Sequence, residues 1–257
     1  VNANECCEDD CKLYIEDCTY TYTQNGIAEN NPTMARCYSH IYILNSVIHA
    51  EIGSKNSYGT YKLNVKTDAS GYAKEFTRMK AIKYINSIFY ANSDYQHYLI
   101  DAGSKAADKY DTDTSNLAIE IKNCTLYGLH QSNIMARAYK LSSVYFGYNV
   151  GYYENSDNKN TYVMGDYAKT CTNLLMEYNH LTTTSDAGGN SWKAVNQSNV
   201  STYKDTTSVV KSKDVDGTYF PFASDYSVTD GYFPINYSIV ATGCGASYDT
   251  KLWVNAE

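Results

Sequence analysis

Half of the chain's eight cysteines fall within its first eighteen residues, as Cys6, Cys7, Cys11 and Cys18, among the carboxylates Glu5, Glu8, Asp9 and Asp10. Thiols and carboxylates at this density serve metal ligation, redox chemistry or bridging. Zinc fits poorly, because the spacing lacks the two-residue knuckle of structural zinc sites and no histidine lies near. Calcium is a weaker reading than a helix start, where acidic residues complement the macrodipole. With Cys37, Cys124, Cys171 and Cys244 spread through the rest of the chain, all eight cysteines read as disulfide candidates. Adjacent cysteines bridge each other only with backbone strain, so Cys6 and Cys7 are expected to face different partners, one of them a neighbouring subunit. Bridges imply an oxidising compartment, and the expected location is extracellular or cell-surface, with Val1 read as the start of a processed chain whose signal segment is removed.

Other chemistry is thin. The sequence has no HExxH, no glycine-rich phosphate loop and no G-x-S-x-G elbow. His40 follows Cys37 by three residues and His97 precedes Asp101 by four, spacings that share a helix face, yet a metal needs three or four converging ligands. The run Asp111, Asp113, Ser115 begins like a calcium loop, but Asn116 stands where glycine is needed and Lys122 where the bidentate acid belongs. No catalytic, metal or cofactor site is assigned. Sequons occur at Asn123, Asn196, Asn199 and Asn236; Asn196 and Asn199, in polar sequence, are the favoured glycosylation sites, and Asn123 is the least favoured because Cys124 reads as buried.

A net charge of -7 and the lack of a basic stripe argue against nucleic acid, and no apolar run reaches membrane-spanning length. Aromatic mass is nearly all phenolic, with 28 Tyr against 6 Phe and 2 Trp, which suits half-buried contact faces.

The elements that must position these groups read as mainly helical. A short helix over 5–17 gives way to an extended Thr19–Thr23. Asn31-Pro32 opens a helix with the stripe Met34, Cys37, Ile41, Leu44, Ile48, Ile52. Tyr61–Val65 alternates like a strand, and a helical stripe runs from Tyr72 to Phe89, followed by a second piece from Tyr95 to Ala106. Leu117–Leu129 satisfies strand and helix periods alike and is taken as helix. Two further stripes, from Ile134 and from Met164, predict an αα-hairpin over 132–182. After Thr182 short strands are expected, among them Ser208–Val210, with Cys244 tying that region back. No internal repeat is evident.

The expectation is therefore an α+β protein: a cysteine-rich segment over 1–30, a helical bundle within ~5–182 (core 31–182), and a β-rich or irregular region over 183–257, disulfide-stapled throughout. The expected function is a secreted or cell-surface structural or interaction protein, a homo-oligomeric or polymeric subunit of a filament, coat or matrix. A ligand- or glycan-binding ectodomain with Trp192 or Trp253 at its pocket is the alternative, and an enzyme ranks third.

Overall fold

Five-residue stretches of strict alternation recur along the chain: His40–Leu44, Ala81–Ile85 and Ala118–Lys122 each show the same in-and-out burial pattern. Alternation places successive side chains on opposite faces of a strand, and here the inward residues are Ile41 and Ile43, Ile82 and Tyr84, and Ile119 and Ile121. A computed structural model describes residues 12–24, 35–36, 39–52, 60–61, 65–66, 80–91, 96–97, 99–101, 117–127, 133–136, 141–153, 161–164, 171–183, 192–195, 200–206, 209–212 and 245–246.

Three parallel sheets account for nearly all of these residues. The first runs, in spatial order, β1 (Lys12–Glu16), β4 (His40–Leu44), β8 (Ala81–Ile85), β12 (Ala118–Lys122), β15 (Leu141–Gly147), β18 (Cys171–Glu177) and β21 (Val200–Thr206). The second runs β2 (Thr19–Gln24), β5 (Val47–Ile52), β9 (Ile88–Ala91), β13 (Thr125–Tyr127), β16 (Val150–Tyr153), β19 (His180–Thr183) and β22 (Val209–Ser212). The third contains β3 (Ala35–Arg36), β7 (Val65–Lys66), β11 (Ile100–Asp101), β14 (Asn133–Ala136), β17 (Thr161–Met164) and β20 (Trp192–Val195). Two short strands, β6 (Thr60–Tyr61) and β10 (Gln96–His97), pair with each other in a separate parallel pair.

The chain thus visits the first, second and third sheets in turn and begins again one strand further along, which is a parallel β-solenoid. Each coil buries its inward row against the same row of its neighbours. Ile43, Tyr84, Ile121 and Phe146 occupy one register position in successive coils and are wholly buried. Burying a side chain of this size is worth about 1.5–3 kcal/mol, so the row is the core's main stabiliser. Tyr84 keeps its hydroxyl satisfied inside the core by donating to the Leu99 carbonyl at 3.2 Å, and its ring meets Phe89 at 4.8 Å.

This architecture overturns the helical bundle. Among the described residues there is no helix: the expected helix over 5–17 contains β1, the Asn31 stripe contains β3 to β5, and the stripe ending at Phe89 contains β8 and β9. Leu117–Leu129 holds β12 and β13, and the expected αα-hairpin over 132–182 holds strands from β14 to β19. The reason is a phase slip. In each coil a bend separates a first-sheet strand from a second-sheet strand, so inward positions run 41, 43, then 46, 48. A window spanning the bend mixes spacings of two and three and mimics a helical stripe. The expected absence of a repeat is corrected as well. The repeat is structural and its length varies, from 25 residues between Ala118 and Ser143 to 41 between His40 and Ala81. The extended Thr19–Thr23 lies in β2, Tyr61 and Val65 lie in β6 and β7, and Val209–Val210 lies in β22, which continues the same second sheet rather than a separate region.

The disulfide expectation also fails where it can be read. Cys18 is an exposed free thiol and Cys124 a buried one. Cys171 begins β18, and Cys6, Cys7, Cys11, Cys37 and Cys244 lie outside the described residues.

Candidate functional site: the first sheet's outer face and its bend

The bend between the first and second sheets sets everything around it. One residue there takes the left-handed conformation in coil after coil: Asp17, Asn45, Asn86, Asn123, Tyr148 and Tyr178, with φ from 47° to 56°. Backbone hydrogen bonding passes straight through, since each such N–H meets a carbonyl of the next coil: Asn45 to Ile85 at 3.1 Å, Asn86 to Lys122 at 3.0 Å, Asn123 to Gly147 at 3.1 Å and Tyr148 to Glu177 at 3.0 Å. Asp and Asn tolerate this conformation at low cost.

The following residue forms a polar ladder, exposed at Cys18 and turned inward at Ser46, Ser87, Cys124, Asn149 and Asn179. Cys18 N–H donates to Ser46 Oγ at 3.2 Å and Ser46 N–H to Ser87 Oγ at 3.1 Å. Cys124 N–H donates to Asn149 Oδ1 at 2.9 Å and Asn149 N–H to Asn179 Oδ1 at 3.0 Å. In return the side chains donate to carbonyls of the preceding coil, Ser87 Oγ to Ile43 at 3.4 Å, Cys124 Sγ to Tyr84 at 3.3 Å, Asn149 Nδ2 to Ile121 at 3.0 Å and Asn179 Nδ2 to Phe146 at 2.8 Å. Buried polar groups that are paired on both sides hold register without a desolvation penalty left over. The Cys124 thiol serves as a hydroxyl would, and burial pushes it up from 9.0 to about 12, so it stays protonated and unreactive.

Outward from this frame, the first sheet presents one row of aligned residues: Tyr14, Tyr42, Lys83, Glu120, Tyr145 and Leu175. Tyr14 and Tyr42 stack at 4.8 Å, the distance that strand spacing imposes, and His40 lies 6.0 Å from Tyr42. Lys83 Nζ pairs with Glu120 Oε2 at 3.0 Å. The Tyr145 ring lies back over Gly147, where any side chain would collide with it, and its hydroxyl donates to Glu177 Oε1 at 2.7 Å. Partial burial, then the Glu177 carboxylate, holds the Tyr145 phenol well above its ordinary range. Beside it Lys122 stands 5.9 Å from the Tyr148 ring, which stacks on Tyr178 at 5.0 Å. Between the two tyrosine pairs is a shallow groove of about 270 Å³ lined by Lys83, Ala118, Glu120, Lys122, Ser143 and Tyr145.

This face offers hydroxyls, ring edges, ammonium groups and carboxylates in a flat row. Among the described residues no three His, Cys, Asp or Glu side chains converge as metal ligands would. His40 and His97 sit on strands β4 and β10, with Asp101 on β11. Asn123 is a half-buried bend residue with Cys124 and Thr125 buried after it, while Asn196, Asn199, Asn236 and Trp253 lie outside the described residues. Trp192 opens β20 in the third sheet. Residues 245–246 return to the solenoid by backbone contact: Gly245 N–H donates to the Tyr148 carbonyl at 2.7 Å and Ala246 N–H to Thr125 Oγ1 at 3.1 Å.

Sequence reasoning gave Lys83, Glu120, Lys122 and Tyr145 no contact role and read the ladder residues Cys18 and Cys124 as bridge candidates. A signal existed: Leu44-Asn45-Ser46, Ile85-Asn86-Ser87 and Lys122-Asn123-Cys124 each close an alternating stretch. No family model matches the chain, and no curated protein and no solved structure matches it.

Proposed function

We propose that the chain is a structural and interaction-making protein of the cell surface or extracellular space, a subunit of a coat, filament or matrix that meets its neighbours along the outer face of the first sheet. The observation that carries this reading is the aligned row Tyr14, Tyr42, Lys83, Glu120, Tyr145: the sheet holds an aromatic pair, an ion pair and a further tyrosine in line at strand spacing. Such a row suits a repeated or extended neighbour, since tyrosine is enriched at contact surfaces and polar groups form their rim. Location outside the cell rests on the Asn-, Ser- and Thr-rich composition and the sequons. The thiol argument contributes less, since Cys18 and Cys124 are free.

Glycan binding is supported less well. Sugars pack on ring faces, whereas Tyr14 and Tyr42 stack on each other, as do Tyr148 and Tyr178.

Light scattering and electron microscopy across protein concentration test the proposal. Wild type is expected to form assemblies larger than a dimer, and Lys83→Glu combined with Tyr42→Ser is expected to abolish them. A wild type that never passes the dimer contradicts it.

A further inference from the structure

We propose that the chain forms a two-fold dimer by antiparallel pairing of β1 with β1 of a second copy. This surface is the strand's edge, not the outer face, and the inference goes beyond the reading above.

Among the described residues β1 ends the first sheet, with β4 as its neighbour. Its inward residues Leu13 and Ile15 are half-exposed, whereas Ile41 and Ile43, which hold the same register positions one coil on, are wholly buried. Tyr14 stacks on Tyr42 yet remains 55% exposed. An apolar row that stops half-covered at a strand edge is a template for further pairing.

Strand parity decides which backbone groups face that edge. The Ile15 carbonyl accepts the Ser46 hydroxyl at 3.3 Å and so points towards coil two. The Leu44 carbonyl, at the register position of Glu16, accepts the Asp17 N–H at 3.2 Å and so points back towards coil one. Successive residues of a strand alternate the side to which N–H and C=O point, so those of Lys12, Tyr14 and Glu16 face away from β4.

The sequence of β1 is its own complement. Centred on Tyr14, an antiparallel register sets Lys12 opposite Glu16 of the second copy, Leu13 opposite its Ile15, and Tyr14 opposite its Tyr14. Directly opposed residues share a face, so the tyrosine stack lengthens, the apolar row continues, and each end gains a Lys–Glu pair. The residues whose N–H and C=O face the edge are those that form the hydrogen-bonded pairs of this register. One patch serves both copies, as two-fold symmetry requires.

Head-to-tail stacking is the rival, and the last described strand of the first sheet opposes it. In β21, Asp205 takes the register position of Met176, in the row of Ile43, Tyr84, Ile121 and Phe146. The register position that is apolar from Ile43 to Met176 is thus taken by an aspartate in β21.

Sedimentation equilibrium of the full chain tests the pairing. Wild type is expected to dimerise. Glu16→Lys should weaken the dimer about tenfold by turning two exposed attractive pairs into repulsive ones, and Lys12→Glu with Glu16→Lys should restore it to within about twofold. Tyr14→Pro, which removes an N–H at the edge and leaves the backbone bonds to β4 in place, should give monomer. A monomeric wild type, a dimer indifferent to these changes, or a charge swap that does not rescue would each overturn the proposal. The outer-face change Lys83→Glu alone, which leaves the Tyr14–Tyr42 stack in place, should keep the dimer, so loss of larger assemblies and loss of the dimer report separately on the two readings.

Discussion

The bend between the first and second sheets is built in two ways. In coils two to four an Asn takes the left-handed position and a small hydroxyl or thiol turns inward: Asn45 with Ser46, Asn86 with Ser87, Asn123 with Cys124. In coils five and six the amide has moved inside, as Asn149 and Asn179, and a tyrosine stands in the left-handed position. Each bend of coils two to six keeps one amide and changes where it sits. Outside, Asn86 Nδ2 donates to Asn45 Oδ1 at 2.9 Å; inside, Asn149 Nδ2 donates to Asn179 Oδ1 at 3.0 Å. A left-handed tyrosine is costly, and the doubly bonded inner Asn with the Tyr148–Tyr178 stack holds it in place. The same backbone path therefore survives two side-chain solutions, and the path, not any one residue type, is what the coils share.

If that account is right, the inner amide carries far more of the fold than the inner hydroxyl. Asn149→Ala leaves the Cys124 N–H and the Ile121 carbonyl without their bonds in a buried site, and should destabilise by about 2–4 kcal/mol in chemical unfolding. Ser46→Ala removes one weaker bridge and should cost about 1 kcal/mol. Equal losses at the two sites would break the comparison.

The thiol of coil four gives a pH signature. Its folded value lies above its unfolded one, so its stabilising contribution is complete below about pH 9 and is lost as pH rises towards about 12. Wild type should lose about 1.4 kcal/mol per pH unit relative to Cys124→Ser across that window, read from unfolding midpoints. In the native protein Cys18 should alkylate readily and Cys124 only on unfolding, as peptide mass mapping would report.

The smallest effect is expected where the two solutions compete. Tyr148→Asn relieves the left-handed conformation but removes the Tyr178 stack and the Lys122 contact, so the net change should stay within about 0.5 kcal/mol. A large loss would mean that the tyrosine stack, not the inner Asn, holds the bend.

Part of this was legible in the sequence. The alternation of Thr19–Thr23 and the short strand expected at Ser208–Val210 pointed to β2 and β22, and Leu117, Ile119, Ile121 alternated openly. The rest was hidden by the bend itself. In Ile41, Leu44, Ile48 the spacing of three and four comes from two strands joined at Asn45, and Leu44 faces out while its neighbours face in. Coils of unequal length concealed the repeat, because the excursions between strands differ while the bends do not. The outer row was invisible for a related reason: Tyr42, Lys83, Glu120 and Tyr145 are far apart in sequence and adjacent only through register. Cysteine counting misled as well, since Cys124 occupies a place that Ser46 and Ser87 fill in other coils.

Nuclear Overhauser contacts among the inward side chains test the solenoid most directly. The account predicts a chain of contacts from Ile43 to Tyr84, Tyr84 to Ile121 and Ile121 to Phe146. Contacts instead at helical spacing, from Ile41 to Leu44 and Leu44 to Ile48 without those long-range links, would contradict it.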